Sequence, residues 1–327
     1  MPDRAALEEA LALVRRTLPP TPQIAWPLLA ARAGCDVWVK HENHLPIGAF
    51  KVRGGLVHMA GLAAAGAAGR GVVCATRGNH GQSVAFAARA HGIAATIVVP
   101  EGNAVEKNRA MAVLGAELVV HGHDFQAALE FAAAEAERRG LVMVPSFAPT
   151  LVAGVASYSI ELFAAVPDLD VLYVPIGLGS GICGAIAARE ALGLATEIVG
   201  VVAEGAPTYA LSFEAGRPVP TNAADTFADG LACRVPVAEA VATVNRHAAR
   251  IVRVTDAEIR AAIRILWTDT HNGAEGAGAA PLAALLQERG NLAGKRAAVV
   301  LSGGNLDRAV LARVLAEKDA QALSSPV

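Results

Sequence analysis

The stretch Val171-Leu-Tyr-Val-Pro-Ile-Gly-Leu-Gly-Ser-Gly-Ile-Cys-Gly-Ala185 reads as a strand that passes through Gly177, Gly179, Gly181 and Gly184 into a helix. Glycines let the backbone curl so that successive N–H groups face one anion. The helix N-terminus that follows adds partial positive charge. The stretch therefore reads as a phosphate site; the bland alternative is a tight turn whose glycines serve packing alone. What carries the phosphate stays open at this point. Gly179-Ser-Gly181-Ile-Cys-Gly184 also fits GxGxxG, and Glu204 ends the next strand about 20 residues on, as in a nicotinamide dinucleotide site. A Walker ending of Gly-Lys-Ser/Thr is missing.

Outward from this loop the chain alternates between strand-like and helix-like runs. Strands are expected at Val72–Thr76, Ala95–Pro100, Glu117–His121, Leu141–Pro145, Val171–Ile176, Glu197–Ala203, Arg250–Val254 and Ala297–Leu301. Ala-rich stretches with helical spacing lie between them, among them Gln82–His91, Val105–Leu114, Phe125–Arg139 and Ala185–Leu192. Helices between successive strands argue for an α/β fold with open, mostly parallel sheets covered by helices. The compact run 72–146 and the looser run 171–316 suggest two layers. They are drawn as a larger domain of residues 1–55 and 150–327 and a smaller one of residues 56–149. Gly205 to Pro236 reads as loop with a short helix, and the polar end from Glu317 to Val327 as frayed. A ligand belongs in the cleft between such layers, at strand carboxyl ends.

Composition removes several classes of function. Of 327 residues, 28 are Lys or Arg and 30 are Asp or Glu, a formal charge of -2. That leaves no electrostatic footprint for nucleic acid or an anionic membrane. The 54% hydrophobic content is largely Ala, and no apolar run reaches the ~20 residues that span a bilayer. Residues 1–16 interleave charge with apolar positions, as an amphipathic helix does and a signal peptide does not. Cys35, Cys74, Cys183 and Cys233 form no metal-spaced pair and read as small buried hydrophobes in a reducing cytoplasm.

Three further loops carry chemistry. In Lys40-His-Glu-Asn-His-Leu-Pro-Ile-Gly-Ala-Phe-Lys51-Val-Arg-Gly-Gly55, Lys51 sits between Phe50 and Val52. A lone lysine is usually a solvated surface group. Apolar surroundings instead depress its pKa and make it a candidate nucleophile. Ala75-Thr76-Arg77-Gly78-Asn79-His80-Gly81-Gln82-Ser83 runs from strand to helix and suits a carboxylate. Val299-Val-Leu-Ser302-Gly-Gly-Asn305 places Ser302 at a strand's carboxyl end.

Together these segments resemble the fold type II pyridoxal-phosphate enzymes of the serine/threonine dehydratase family, from about Thr21 to Asn305. Ala49-Phe50-Lys51-Val-Arg-Gly is similar to the family's Ser-Phe-Lys-x-Arg-Gly box, which implies that Lys51 is the cofactor lysine and catalytic base. Gly78-Asn79-His80-Gly81-Gln82 resembles the loop whose Asn79 contacts the ring 3-oxygen. Gly177-Leu178-Gly179-Ser180-Gly181 stands in for the phosphate loop. Glu275-Gly-Ala-Gly278 is similar to the segment beside the ring, and Ser302 to the residue facing the pyridine nitrogen. The resemblance implies a tryptophan synthase β-like fold with pyridoxal 5'-phosphate in the interdomain cleft, and a smaller domain that moves to close it. It implies a homodimer, and a β-hydroxy-L-amino acid held by Thr76, Arg77, Gly78, Asn79 and His80. The expected reaction is β-elimination to a 2-oxo acid and ammonia. A nicotinamide oxidoreductase built on Gly177–Gly184 is the competing class, and it leaves Lys51, Asn79 and Ser302 without roles.

Departures from the family bear on substrate. Arg77 stands where the racemase branch has an acid/base Ser, and a guanidinium is a poor proton shuttle. It is read as a partner for a second carboxylate, as in hydroxyaspartate, as a stacking partner for an aromatic ring, or as a rim ion pair or a contact to the cofactor phosphate. Ala49, Leu45, Ile47 and the segment Ala153-Gly-Val-Ala-Ser-Tyr158 make the neighbourhood more apolar than usual, which resembles the phenylserine dehydratase branch. L-Threonine or L-serine is the other reading. Glu204 matches one acid of the racemase divalent site, but Ala210 stands where the second acid would be, so no divalent metal is expected. A monovalent cation held by backbone carbonyls is compatible with the sequence. The length beyond Asn305 leaves no expected regulatory domain.

Overall fold

The computed structural model describes residues 1–318. Two sheets organise it. The first contains β1 (Gln23–Ala25), β2 (Asp36–His41), β7 (Val171–Pro175), β8 (Glu197–Ala203), β9 (Arg250–Val254) and β10 (Arg296–Leu301), in the order β1-β2-β10-β7-β8-β9. The second contains β3 (Val72–Ala75), β4 (Ala95–Val99), β5 (Glu117–Val120) and β6 (Val142–Met143), in the order β5-β4-β3-β6. Every pairing is parallel except β1 with β2.

The helices are α1 (Arg4–Arg15), α2 (Pro27–Ala33), α3 (Lys51–Ala64), α4 (Asn79–Ala90), α5 (Val105–Val113), α6 (Phe125–Arg139) and α7 (Pro149–Ala165), followed by α8 (Ser180–Leu192), α9 (Thr208–Ala215), α10 (Ala238–His247), α11 (Asp256–Thr270), α12 (Gly276–Gln287) and α13 (Arg308–Ala316). Alternate residues of each strand serve opposite faces, so both faces of a sheet need cover. Val171 and Tyr173 pack toward α2, α11 and α12, while Leu172 and Val174 pack toward α1, α7 and α8. In the smaller sheet Val72 and Cys74 meet α3 and α4, and Val73 and Ala75 meet α6.

Both sheets reverse their strand order at one point. After β5 the chain returns to the far side of β3, and after β9 it returns to the far side of β7. Such switch points open a crevice at strand carboxyl ends. The loops that follow β3 and β7 are Thr76–Gly78 and Ile176–Gly179, two of the loops singled out from sequence.

The structure revises several boundaries. The strand expected over Leu141–Pro145 pairs only through Val142 and Met143. Helix begins at Asn79 rather than Gln82, and at Ser180 rather than Ala185. The line drawn between residues 55 and 56 falls inside α3. β1 and β2 were not anticipated, because β2 buries Lys40 and His41 where a sheet core should be apolar. These charges belong to a buried cluster. Lys40 Nζ lies 2.7 Å from Glu161, and Arg53 bonds both Glu42 and Glu161 at 2.7–3.0 Å. Two cations and two anions balance, which is how buried charge is tolerated. All four cysteines are free and buried. The tail beyond Lys318 lies outside the described residues, and no helix among them is long and apolar enough to cross a membrane.

The smaller sheet reaches the larger one through α5. Glu106 accepts a bond from the Arg308 backbone N–H (3.0 Å), and Asp307 accepts one from the Glu106 N–H (3.4 Å). Each helix N-terminus is capped by an acid of the other.

Candidate functional site

Lys51 opens α3, and the backbone before it is pinned to the end of β10. Ala49 pairs with Gly303, and the Phe50 N–H donates to the Ser302 carbonyl at 3.0 Å. This seats Lys51 beside the buried Ser302. Its Nζ donates to Ser180 Oγ at 3.4 Å and lies 5.2 Å from the Phe50 ring centroid. Burial lowers the Lys51 pKa to about 8, against the opposing pull of the Glu275 carboxylate.

Packing around the loop requires its glycines. A Cβ on Gly177 would lie 2.3 Å from the Gly230 carbonyl, and one on Gly179 would lie 2.7 Å from Ala240. Gly179 also takes a φ of +99°, which favours glycine. Tyr209 Oη donates to the Leu178 carbonyl (2.9 Å) and Tyr158 Oη to that of Gly181 (3.1 Å). These bonds hold the carbonyls away and leave N–H groups and the Ser180 hydroxyl at the head of α8 for the ligand.

Thr76 Oγ1 accepts from the N–H groups of Gly78 (2.9 Å) and Gly81 (3.2 Å), which shapes the loop after β3. Asn79 is oriented from both ends. Asn305 Nδ2 donates to Ile47 O (2.7 Å) and Asn79 Oδ1 (2.8 Å), while Asn79 Nδ2 donates to Glu275 Oε1 (2.6 Å). One Nδ2 hydrogen of Asn79 remains for a ligand oxygen. Glu275 caps α12 and is 2% exposed. Burial pushes its carboxyl up, and Lys107 opposes that. His80 is buried and held neutral, its pKa pushed down to about 3 by desolvation and then by Lys51.

Phe50, Lys51, Asn79, Ser180, Glu275 and Ser302 thus form one connected group, with Gly177, Leu178, Gly179 and Gly181 in the loop beside it. Thr76, Gly78 and His80 belong to the Asn79 loop. Arg77 is exposed, and among the described residues its guanidinium forms no hydrogen bond or ion pair; the rim ion pair offered for it is not present. Leu45 and Ile47 pack in the core with Leu18 and Leu56, and Ser157 of the 153–158 segment accepts from Arg53. Their composition answers to packing. Glu204 is exposed at the end of β8 and Ala210 is buried in α9. Asn305, Lys107, Asp229, Tyr158 and Tyr209 were not anticipated in the site. Asn305 carried a signal, since it closes the Ser302 segment.

A lysine amine set against a glycine loop and a helix N-terminus at the switch points of two mostly parallel sheets fits an enzyme of cofactor-assisted amine chemistry. The donor set, the Lys51 amine beside the Ser180 hydroxyl and the N–H groups at the head of α8, suits a phosphorylated aldehyde cofactor. The chain matches the pyridoxal-phosphate dependent enzyme family over residues 14–303 and belongs to it. It is 35% identical over 289 residues to an L-threonine ammonia-lyase of Thermotoga maritima, covering 88% of this chain and 72% of the relative. It is 29% identical over 300 residues to an L-threo-3-hydroxyaspartate ammonia-lyase of Saccharomyces cerevisiae, covering 91% and 92%. Among solved structures, threonine deaminase isoform 2 of Solanum lycopersicum superposes with a TM-score of 0.88 at 28% identity, over 96% and 94% of the two chains.

Proposed function

We propose that this protein is a pyridoxal phosphate-dependent ammonia-lyase that converts a β-hydroxy-L-amino acid, L-threonine or L-serine, to a 2-oxo acid and ammonia. The observation that carries the reading is Lys51, a lysine with a depressed pKa touching the head of the glycine cradle. The cofactor, when bound, supplies the electron sink that acidifies Cα. Gly177, Leu178, Gly179, Ser180 and Gly181 would hold its phosphate. Asn79 would offer its free Nδ2 hydrogen to the ring oxygen, and Phe50 and Glu275 would help to hold the ring. Ser302 offers the ring nitrogen a hydroxyl and no charge, so the protein does not favour a protonated ring. Lys51 Nζ, partly unprotonated near neutral pH, takes the proton from Cα. Backbone N–H groups of Thr76 to His80 receive the substrate carboxylate.

The same reading takes the active form as a cytoplasmic homodimer. It treats residues 56–149 as a unit that closes on the larger domain of residues 1–55 and 150–327. A second substrate reading rests on Arg77. An exposed, unpaired guanidinium two residues before Asn79 suits the distal carboxylate of 3-hydroxyaspartate. The phenylserine reading keeps only stacking on Arg77, since Leu45, Ile47 and segment 153–158 are explained by the core.

The test compares kcat/KM for 2-oxo acid release from L-threonine, L-threo-phenylserine and L-threo-3-hydroxyaspartate. Threonine is expected to lead, with Arg77→Gln changing it less than tenfold. A lead for hydroxyaspartate that Arg77→Gln abolishes would install the second reading, and turnover of none of these three nor of L-serine would sink the lyase assignment.

A further inference from the structure

α5 is built against the usual order of burial. Val105 and Val113 are 74% and 72% exposed, whereas Lys107 is 6% exposed. Lysine is among the residues least often buried, and only when paired. Here the side chain crosses the loop after β3: a Cβ on Gly78 would lie 2.3 Å from Lys107 Cδ. Gly78 takes a φ of +157°, so the loop is fitted beneath the lysine rather than the reverse. Beyond that loop Nζ meets Asp229 Oδ2 at 2.6 Å and Glu275 Oε2 at 3.3 Å. Glu275 Oε2 has no hydrogen-bond donor of normal geometry, so Lys107 is its charge partner. Four groups face Glu275: Lys51 from α3, Asn79 from α4, Lys107 from α5 and Asp229 from the turn at 229–231. The neutral His80 lies beyond them, facing Lys51.

We propose that Lys107 is a positioning residue of the site: it reaches across from the smaller sheet, holds Glu275 as a carboxylate and so keeps Asn79 aimed at the ligand. The physical chain is short. A wholly buried carboxylate without a cation takes up a proton. A protonated Glu275 no longer places a negative charge near Lys51 and competes as a donor with the Asn79 amide. Lys107 is a residue of α5, the helix whose neighbour Glu106 clasps Arg308, so the charge arrives only when the two sheets are together. The proposal rests on the reading of Lys51 as the cofactor lysine.

The test follows the visible absorbance of the holoenzyme against pH, which reports protonation at Lys51. Glu275→Gln is expected to move the midpoint down by about one unit. Lys107→Met is expected to move it equally, with kcat falling more than KM changes, and Lys107→Arg to restore both. The double variant Lys107→Met/Glu275→Gln leaves no wholly buried charge unpaired, the Asp229 carboxylate being in part exposed to solvent, so it is expected to fold even where the single Lys107 variant does not. It is expected to titrate like Glu275→Gln alone. A wild-type midpoint in Lys107→Met, or a double variant displaced by the sum of two shifts, would overturn the proposal. A wild-type protein that takes up no pyridoxal phosphate would overturn both the functional reading and this one.

Discussion

Lys51 is pulled two ways: burial favours the free amine, and the Glu275 carboxylate favours the ammonium. Burial wins and sets the pKa at about 8, against 10.5 in an exposed lysine. The sign of the stability effect follows from linkage. Between pH 8 and 10.5 the unfolded chain keeps a proton that folded Lys51 has released, so the contribution of this one group to stability grows as the pH rises across that window. For the cofactor-free protein the contribution is of order 3 kcal/mol over the full window. Burial pushes the Cys35, Cys74, Cys183 and Cys233 thiols up, which pulls stability down over the same range, so urea midpoints measured at pH 8, 9 and 10 should fall more steeply in Lys51→Met than in the wild type. Parallel curves would mean that Lys51 is solvated. The residue was legible in the sequence because Phe50, Val52 and the nearby glycines announce an apolar setting. Lys107 was not, because a lysine between Glu106 and Asn108 at a helix start reads as solvated until a distant Asp229 and Glu275 are brought to it.

At the level of elements, the crossing of α3 and α7 fixes where Lys51 points. A Cβ on Gly154 would lie 2.4 Å from Arg53 O and 2.8 Å from Gly54 Cα, so the two backbones touch. Gly154→Ala should force them apart at a cost of about 1–3 kcal/mol, read from the urea midpoint. It should lower kcat as well, since α3 carries the lysine. Full stability in that variant would show that the crossing is slack. The β7–α8 unit was readable because four glycines after an apolar strand leave few alternatives. β2 was hidden by Lys40 and His41, whose burial depends on Glu161 and Trp26, remote in sequence. β6 ends earlier than expected: the Val144 N–H still donates to the Val73 carbonyl at 2.8 Å, but no register pair follows Met143.

Across the whole molecule, the smaller sheet is docked at its α5 end by polar contacts rather than by apolar area. The Arg308 N–H has Glu106 as its acceptor. Glu106→Ala should remove a cap worth about 1 kcal/mol and raise amide exchange at Arg308 several-fold. Unchanged exchange there would mean that solvent or another group caps α13. The order of strands has a further consequence, for how the molecule is born. The smaller sheet draws all its strands from one uninterrupted stretch, Val72 to Met143, and can pair as that stretch leaves the ribosome. β2, made earlier, must wait for β10: Asp36 lies opposite Arg296, and His41 opposite Leu301. Long-range parallel pairing of this kind is slow, and unpaired edges invite aggregation. Lys51 therefore emerges long before the Gly177–Gly181 cradle and Ser302 exist, so cofactor loading follows completion of the chain.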